Sequence, residues 1–513
     1  MERLSYWVDA QARVEHPPIT DTNTEVVVVG GGITGLMTAY MLASNGVPVM
    51  LLEKDRIGWG TTGFSSAKLT VQHGLIHTRL SKMHGPDVAA GYAEAQQIGF
   101  DLIASVIAGE DIDCDMQWMP SAIYTEDPEK RDDLAQEAEI CQQLGLPAQL
   151  VGAIDLPFPV AAAVELPNQL TVHPYRLCKG LADALLRRGG RIAEDTLVRD
   201  VQDSGDELEV VTERGRIKCS VAVLATQTPI LNKGGYFART TPSMSYVIAA
   251  PYDDLPGVMA LSAEEPHRSI RPHRGKDGSM LLIGGEHHRT GHLGQDGDPY
   301  GELEAWAKQR FSGFESKWRW GAQDFMPADG LPFVGPMTRT KPNILIATGF
   351  AKWGLSTGAA AARLLTDRVL GRQTPWGDVF DPGRVRPLVS ASTLLEQGGE
   401  TLKSLVGDRV LGAHDLRSLE EIQPGEGGIV RIDGERLAVH RTPEGRLEAV
   451  SPVCTHLGCI VSFNRATVTW DCPCHGSRFD TSGQVLCGPA TRALERRDIE
   501  TAAPSTPERD HMD

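Results

Sequence analysis

Long hydrophobic runs are missing from this sequence of 513 residues. The most apolar stretch, residues 26–43, is interrupted by three consecutive glycines and two threonines. It falls short of the roughly 18 clean apolar residues that a membrane-spanning helix needs. The first part of the chain mixes charges and prolines and lacks the apolar segment of a secretory signal. The sequence therefore predicts a protein without a transmembrane segment that works in the cytoplasm.

An excess of positive charge is also missing, because the formal net charge is −17. Nucleic acids and anionic lipid surfaces are bound by basic faces, so neither is expected as a partner. Hydrophobic residues make up 41% of the chain and charged residues 23%, which is ordinary for a soluble globular enzyme. A chain of this length exceeds what one core usually supports, so we expect two or three domains.

Cysteine is scarce in the first 400 residues and concentrated near the end of the chain. The nine cysteines divide into a scattered group, Cys114, Cys141, Cys178 and Cys219, and a C-terminal group, Cys454, Cys459, Cys472, Cys474 and Cys487. Scattered cysteines in a reducing compartment are mostly buried thiols. The crowding of the second group predicts a metal or redox module at the C-terminus.

A glycine pattern near the start of the chain predicts a dinucleotide site. The sequence from Gly30 to Gly35 reads G-G-G-I-T-G between a β-branched strand and a helix, which fits G-x-G-x-x-G. Gly30 allows the tight turn, and Gly32 lets the backbone approach a pyrophosphate at the helix N-terminus. Glu53 closes the second strand, where it would bond ribose hydroxyls. An ordinary β–α turn is the alternative. The pattern alone does not separate FAD from NAD, but no second copy supports an NAD(P)H site.

Several later segments, in the same order, resemble the D-amino-acid oxidase and glycine oxidase superfamily of FAD enzymes. They are residues 60–70 (GTTGFSSAKLT), 221–226 (VAVLAT), 329–332 (DGLP), 347–350 (ATGF) and 354–358 (GLSTG). The resemblance covers residues 1–375 and implies that the first segment wraps FAD, while the last two bring N–H groups to the flavin. The FAD-binding residues that it implies are Gly30, Gly32, Ile33, Thr34, Gly35, Glu53, Lys54, Thr61, Thr62, Ser65, Ser66, Ala67, Lys68, Leu69, Val198, Thr226, Asp329, Gly349, Gly354, Leu355, Ser356 and Thr357.

Two loops near the C-terminus, C-T-H-L-G-C from Cys454 and C-P-C-H-G-S from Cys472, contain C-x-H and C-x-x-H. A Rieske [2Fe–2S] cluster takes two thiolates on one iron and two imidazoles on the other. We assign Cys454 and Cys472 to one iron, and His456 and His475 to the other. Zinc also accepts two cysteines and two histidines, although the paired loops are more specific than bare zinc spacing.

These loops resemble the Rieske proteins of quinol-oxidising respiratory and photosynthetic complexes. The resemblance implies a disulfide between Cys459 and Cys474, and a hydrogen bond from Ser477 to cluster sulfur. It also implies that Gly488-Pro489-Ala490 covers the cluster. Phe479 stands where high-potential members often carry tyrosine. Because one hydroxyl donor is missing, we expect a lower reduction potential.

Together the two resemblances predict an α/β FAD-binding domain (Rossmann-like, glutathione-reductase-type), an inserted α+β substrate domain and a C-terminal all-β Rieske domain. We expect strands in residues 191–200, 207–212 and 216–226 to return to the first sheet. The expected organisation is an N-terminal arm 1–24; an FAD-dependent oxidoreductase 25–375, with nucleotide-binding parts about 25–75, 170–230 and 325–372 and a substrate domain about 76–169 and 231–324; a linker 376–411; a Rieske domain 412–500; and a tail 501–513.

The flavin family oxidises C–N bonds, which implies a small amine or amino-acid substrate. A two-electron flavin beside a one-electron cluster predicts that electrons pass singly from flavin to cluster and on to an acceptor, a protein or a quinone. The reverse flow uses the same parts and stays open. In that alternative the chain is a reductive enzyme or an electron-transfer flavoprotein, and electrons enter through the Rieske cluster.

Catalytic residues are marked less clearly. Lys352 lies in a turn that, in relatives, faces the substrate side of the flavin; a surface lysine is the alternative. His73 and His77 follow the flavin-wrapping segment, although structural histidines are commoner. Tyr246 lies in a predicted strand of the substrate sheet. We take Lys352, His77 and Tyr246 as candidates, and interpret His287-His288 as structural because adjacent strand residues point to opposite faces.

Overall fold

The computed structural model describes residues 4–9, 16, 22–294, 297–384 and 418–499. The predicted tail, most of the predicted linker and much of the predicted N-terminal arm lie outside these ranges. Within them, no helix has the length and apolar character needed to span a membrane. The helices are α1 Ile33–Ser44, α2 Ile76–His84, α3 Pro86–Gly109, α4 Arg131–Gln143, α5 Pro174–Arg187, α6 Pro299–Arg310 and α7 Ser356–Val369.

Within the described ranges, the strands fall into five sheets. In chain order they are β1 Val26–Val29, β2 Val49–Leu52, β3 Lys68–Leu69, β4 Gln117–Thr125, β5 Gln149–Val151, β6 Ala162–Thr171, β7 Arg191–Ala193, β8 Val198–Ser204, β9 Glu207–Thr212, β10 Gly215–Cys219, β11 Val221–Leu224, β12 Thr240–Pro251, β13 Met259–Ser262, β14 Ser269–Gly275, β15 Gly278–Arg289, β16 Trp318–Pro327, β17 Phe333–Thr338, β18 Lys341–Thr348, β19 Gly427–Ile432, β20 Glu435–Arg441, β21 Leu447–Val450, β22 Ser462–Asn464, β23 Thr469–Asp471, β24 Arg478–Phe479, β25 Val485–Cys487 and β26 Arg496–Arg497.

The first sheet has six strands in the order β17-β18-β11-β1-β2-β7. Its strands pair in parallel, except that β17 runs antiparallel to β18. All four valines of β1 are buried, as expected for a central parallel strand that is covered on both faces. Full burial of one such side chain contributes about 1.5–3 kcal/mol. On one face, Val26 and Val28 join a core with residues of α1, α3, α5 and α7.

The other face of this sheet is covered by a separate three-stranded sheet, β10-β9-β8. Leu208 and Val210 of β9 are buried in one core with Val27 and Val29 of β1. The prediction that all three runs return to the first sheet was therefore wrong for β8, β9 and β10, and right for β7 and β11. The alternation of buried and partly exposed residues along β9 gives the strand one apolar face, which suits a covering sheet rather than a central strand.

The second large sheet has nine strands in the order β16-β12-β15-β14-β13-β4-β6-β3, with β5 paired to β6. Its central core includes Ile248, Leu281 and Ile283 packed against Leu303 of α6. Strand β3 carries the segment predicted to wrap FAD to the edge of this sheet, through pairing with β6. The predicted nucleotide-binding and substrate parts therefore meet at residues 68–69.

The C-terminal region consists of two four-stranded antiparallel sheets, β19-β20-β21-β26 and β22-β23-β24-β25. Trp470 and Phe479 are fully buried in its core. The region packs closely on the rest of the chain. A Cβ added to Gly476 would lie 2.4 Å from Cβ of Pro242, and the φ of Gly476 is +77°. Only glycine fits this close approach with that backbone conformation.

Candidate active site and cluster site

The glycine turn after β1 is held by its own close packing and by two other segments. A Cβ on Gly35 would lie 1.9 Å from the carbonyl oxygen of Gly30, so this contact between helix and turn requires glycine. The N–H of Ile33 donates to Oγ1 of Thr62 at 3.1 Å, and the N–H of Gly31 donates to the carboxylate of Glu53 at 2.7 Å. The start of α1 is thereby fixed between β2 and the 60–70 segment, as a phosphate-binding turn requires.

A cavity of about 810 Å³ opens beside this turn. It lies at the carboxyl ends of β1, β2 and β11, where open α/β sheets bind ligands. Most of the predicted FAD-binding residues line it: Gly30, Gly32, Ile33, Thr34, Glu53, Lys54, Thr61, Thr62, Ser65, Ser66, Ala67, Lys68, Val198, Thr226, Gly349, Gly354 and Leu355. A dinucleotide-sized space with glycines, hydroxyl groups and a helix N-terminus on its wall fits FAD.

The other predicted FAD-binding residues, Gly35, Leu69, Asp329, Ser356 and Thr357, are not on the cavity wall. The carboxylate of Asp329 forms an ion pair with Arg384 at 2.7 Å. The hydroxyl of Ser356 lies 3.1 Å from Nε2 of His73, and that of Thr357 donates to Gln96 at 3.0 Å. We infer that these residues support the segments that form the wall rather than contact FAD.

Lys352 lies on the cavity wall in a strained turn. Ala351 and Lys352 have φ of +51° and +74°, a left-handed conformation that is uncommon outside glycine and often marks functional sites. The N–H of Lys352 donates to the carboxylate of Asp324, which holds the turn. More than a third of the surface of Lys352 is exposed, and the residue borders the cavity. The surrounding protein lowers the pKa of Lys352 to about 8, although the charges of Asp324 and Glu265 oppose this shift.

Asp324 was not predicted from the sequence. It borders the cavity beside Lys352, and burial raises the pKa of its carboxyl to about 6. Glu265, His267 and His287 also border the cavity. The carboxylate of Glu265 lies 2.9 Å from Nε2 of His267 and 3.6 Å from Nε2 of His287. His287 therefore borders the cavity beside Glu265, whereas His288 is not on the cavity wall.

The two histidines that follow the FAD-wrapping segment differ in position. His73 borders the cavity and stacks on Trp353 with ring centroids 4.4 Å apart. Burial lowers the pKa of His73 to about 3, so its ring is neutral. His77 is fully buried and its Nδ1 lies 2.9 Å from Glu137. Because His77 does not border the cavity, the structure gives no support to its predicted catalytic role.

Tyr246 borders the cavity, but its hydroxyl has other partners. The hydroxyl lies 2.9 Å from Nε2 of His288 and accepts a hydrogen bond from Nδ2 of Asn464 at 3.1 Å. Asn464 belongs to β22 of the C-terminal region, and its amide also donates to Asp471 at 2.9 Å. The geometry favours a role for Tyr246 in joining the two regions over a role in proton transfer.

The predicted cluster ligands meet in the C-terminal region. Cys454 and Cys472 are buried free thiols that are hydrogen-bonded to each other. The rings of His456 and His475 have centroids 5.1 Å apart, and both Nδ1 atoms are buried without a partner. Nε2 of His456 lies 2.6 Å from Oδ1 of Asn232. If Nε2 carries the proton, Nδ1 keeps the lone pair that iron binds. Two thiols and two free imidazole nitrogens fit a Rieske cluster.

The disulfide between Cys459 and Cys474 is present, as the resemblance implied. Both sulfurs lie within 4.8 Å of the Cys472 sulfur, but they are bonded to each other and are not ligands. The hydroxyl of Ser477 is hydrogen-bonded to Cys454 and accepts the N–H of Ala490 at 3.0 Å. Ser477 thus connects the ligand loop to the predicted covering segment.

The cluster loops face the part of the molecule that contains the cavity. The ring of Phe237 lies 4.8 Å from that of His475 and 5.6 Å from that of His456, between centroids. Nε2 of Gln323, a cavity residue, donates to the carbonyl of Gly476 at 2.8 Å. One side chain therefore connects the cavity wall to a residue next to a cluster ligand.

Comparison with known proteins identifies both regions. The model of the family "FAD dependent oxidoreductase" matches residues 25–368. The chain belongs to this family. The model of the Rieske [2Fe-2S] domain matches residues 413–500. The chain is therefore an FAD-dependent oxidoreductase with a Rieske domain, and FAD and a [2Fe–2S] cluster are its cofactors. The predictions of the fold class, the cofactors and an oxidoreductase are confirmed.

Relatives resemble either the whole chain or a part of it. The putative Rieske 2Fe-2S iron-sulfur protein YhfW of Bacillus subtilis is 34% identical over 97% of this chain and 98% of its own length. The gamma-glutamylputrescine oxidoreductase of Escherichia coli is 29% identical over 39% of this chain and 48% of its own. The fold resembles glycine oxidase from Geobacillus kaustophilus, with a TM-score of 0.59, 19% identity, and coverage of 71% of this chain and 100% of that chain.

Proposed function

We propose that the protein oxidises the C–N bond of an amine or amino acid and passes the electrons singly from FAD to the Rieske cluster. A protein or quinone in the cytoplasm then accepts them. One observation carries the proposal: a single cavity is bordered by the FAD-binding turn, by the nine-stranded sheet and by residues 485–491 of the Rieske region. When bound, FAD would accept a hydride from the carbon next to nitrogen, which leaves an imine, and the bound cluster would take up the electrons one at a time.

The ionisable residues of the cavity suit an amine substrate. An ammonium group must lose a proton before its carbon can be oxidised, because the nitrogen lone pair assists the reaction. Nζ of Lys352, with a pKa of about 8, is a suitable acceptor near neutral pH. The carboxylate of Glu265 at the cavity edge provides a negative charge that attracts the ammonium group before it is deprotonated.

Aromatic side chains shield the reacting part of the cavity from water. Phe64, Phe350 and Trp353 line it, and Trp353 is held by its stacking on His73.

Relatives support the substrate class. Gamma-glutamylputrescine oxidoreductase and L-proline dehydrogenase, both similar to this chain, are named for an amine and for an amino acid.

Two glutamines support a direct route from the FAD site to the cluster. The backbone oxygen of Gln323 accepts hydrogen bonds from Oγ1 of Thr61 at 3.2 Å and from Nε2 of Gln227. The side chain of Gln323 donates to Gly476 in the cluster loop. Oε1 of Gln227 accepts from Sγ of Cys487 in the Rieske region at 3.2 Å. Hydrogen-bonded contact without a solvent layer between the two regions suits electron transfer within one molecule.

An anaerobic titration of the purified holoenzyme with a panel of amines and amino acids tests this function. Flavin absorbance and the electron paramagnetic resonance (EPR) signal of the reduced cluster are followed together. We expect one class of compound to bleach the flavin first, followed by the rise of the Rieske signal. If no compound bleaches the flavin, while a reduced carrier protein reduces first the cluster and then the flavin, electrons enter through the cluster and the proposal is wrong.

A further inference from the structure

We propose that residues 485–491 of the Rieske region form one wall of the FAD site, so that FAD is held by both parts of the chain. We call these residues the closing segment. Six of the seven border the cavity that fits FAD: Val485, Leu486, Cys487, Gly488, Ala490 and Thr491. This assignment concerns cofactor binding only, and it holds whatever the substrate is.

The closing segment lies at the dinucleotide side of the cavity. Sγ of Cys487 donates to Oε1 of Gln227, which directly follows Thr226 at the end of β11. The charge of Lys54 also acts on the Cys487 thiol and opposes the rise of its pKa that burial causes. Lys54 follows Glu53, the acid at the end of β2. The segment therefore faces the ends of the strands that bind the nucleotide in this fold.

Contacts with the flavoprotein part hold the closing segment in place. Nη1 of Arg199, on β8, donates to the carbonyl of Thr491 at 2.8 Å. A Cβ on Gly488 would lie 3.6 Å from Thr228 and 3.8 Å from Ile230, so the backbone there is in close packing range. FAD cannot leave past this wall unless these contacts open.

The same segment is attached to the cluster site. The N–H of Ala490 donates to Oγ of Ser477 at 3.0 Å, and Ser477 is hydrogen-bonded to the cluster ligand Cys454. The backbone of the segment also pairs with β24 through Cys487 and Arg478. Residues beside the cluster thus position a wall of the FAD site, which couples retention of FAD to the integrity of the cluster loops.

The composition of the closing segment suits a position near FAD. Its sequence, V-L-C-G-P-A-T, contains no charged side chain, so nothing in it repels the pyrophosphate dianion. A charge introduced there should act on FAD according to its sign. Leu486 offers a position for this test, because it borders the cavity and is 39% exposed.

The test compares Leu486→Asp with Leu486→Lys in the full holoenzyme. FAD release after dilution is followed by the fluorescence of free FAD. We expect Leu486→Asp to accelerate release about fivefold and Leu486→Lys to slow it by a similar factor, with the iron content and cluster EPR signal unchanged. Release at the wild-type rate in both variants would overturn the proposal. Equal acceleration in both would also overturn it, since that result reports a loosened fold.

A second pair of variants tests the attachment of the segment. Arg199→Met removes the donor to Thr491 together with an ion pair to Glu213. Arg216→Met is the matched control, because it removes an ion pair to Glu209 from the same three-stranded sheet but no contact with the closing segment. We expect FAD release to be about threefold faster in Arg199→Met, for the loss of one hydrogen bond, and unchanged in Arg216→Met. Equal acceleration in both variants would mean that the three-stranded sheet, and not the closing segment, controls FAD retention. The wild-type rate in both would contradict the role of the contact with Thr491.

Discussion

The two cofactor sites of this enzyme are built in different ways. The cluster site takes its ligands from two loops whose bridging cysteines are 15 residues apart, and the disulfide joins these loops. The FAD cavity is lined by residues from Val29 to Thr491, drawn from many segments that lie far apart in the chain. When a site is made from short loops, its residues form a motif that can be recognised in the sequence. A site made from many segments exists only once the chain has folded.

The sites also differ in their ionisable groups. The cavity places Lys352, Asp324 and Glu265 around one space, and their charges act on each other. The cluster loops offer two thiols and two imidazoles as metal ligands and carry no acid or lysine between Cys454 and Cys459. We infer that proton transfer belongs to the cavity, while the cluster site serves electron transfer.

The largest effect is expected at the cluster. Cys472→Ser removes a thiolate ligand from one iron, so we expect complete loss of the Rieske EPR signal and of bound iron. Cys487→Ser is the matched control, because Cys487 borders the cavity but is not a ligand, and it should keep a full signal. A Rieske signal that persists in Cys472→Ser would contradict the ligand assignment.

A smaller effect is expected for the proton acceptor in the cavity. Lys352 accepts a proton only when neutral, so the rate of flavin reduction should rise with pH through about 8 and then level off. Lys352→Met should lower this rate by about 10²–10⁴-fold and remove the pH dependence. Stopped-flow absorbance with the amine found by titration measures both. Lys82→Met, at an exposed lysine that donates to Gln136, should behave as the wild type; an unchanged pH profile in Lys352→Met would refute the role.

Loss of the hydrogen bond that joins the cavity wall to the cluster loop should slow electron transfer from flavin to cluster about tenfold. Gln323→Leu removes the donor to Gly476. If electron transfer depends on this contact, the free energy of about one hydrogen bond corresponds to roughly a tenfold change in its rate. Flash photoreduction of the flavin, followed by the appearance of the cluster signal, measures the transfer rate. Gln142→Leu removes a similar 2.8 Å bond, to the carbonyl of Ala148, and should leave the rate unchanged. Equal slowing in both variants would argue against a specific bridge.

The smallest effect concerns the reduction potential of the cluster. Phe479→Tyr adds the hydroxyl that high-potential Rieske proteins often have. A hydrogen bond to a charged group contributes at least about 1.5 kcal/mol, which corresponds to a rise of about 65 mV for one electron. Redox titration followed by EPR measures it. Phe463→Tyr adds a hydroxyl elsewhere in the same core and should not shift the potential; a fall in potential for Phe479→Tyr would contradict the prediction.

The sequence alone predicted the features that are determined by residues close together in the chain. The paired loops predicted the four cluster ligands because a Rieske cluster takes them at fixed spacing within short loops. The turn from Gly30 to Gly35 was found for the same reason. The Cys459–Cys474 bridge was implied by the resemblance to Rieske proteins, and it is present. Buried strands such as β1 were recognised because a parallel strand that is covered on both faces must be apolar throughout.

Tertiary structure decided what depends on residues that are distant in the chain. Asp324 and Glu265 carry no motif, and they reach the cavity only through the pairing of strands in the nine-stranded sheet. In the sequence, His77 was as plausible a catalytic residue as His73, because both follow the FAD-wrapping segment. In the fold, helix α2 buries His77 against Glu137, away from the cavity. The closing segment borders the FAD cavity because the Rieske region docks with Gly476 against Pro242 and Gln323. Such contacts depend on how sheets pack in space, which local sequence patterns do not encode.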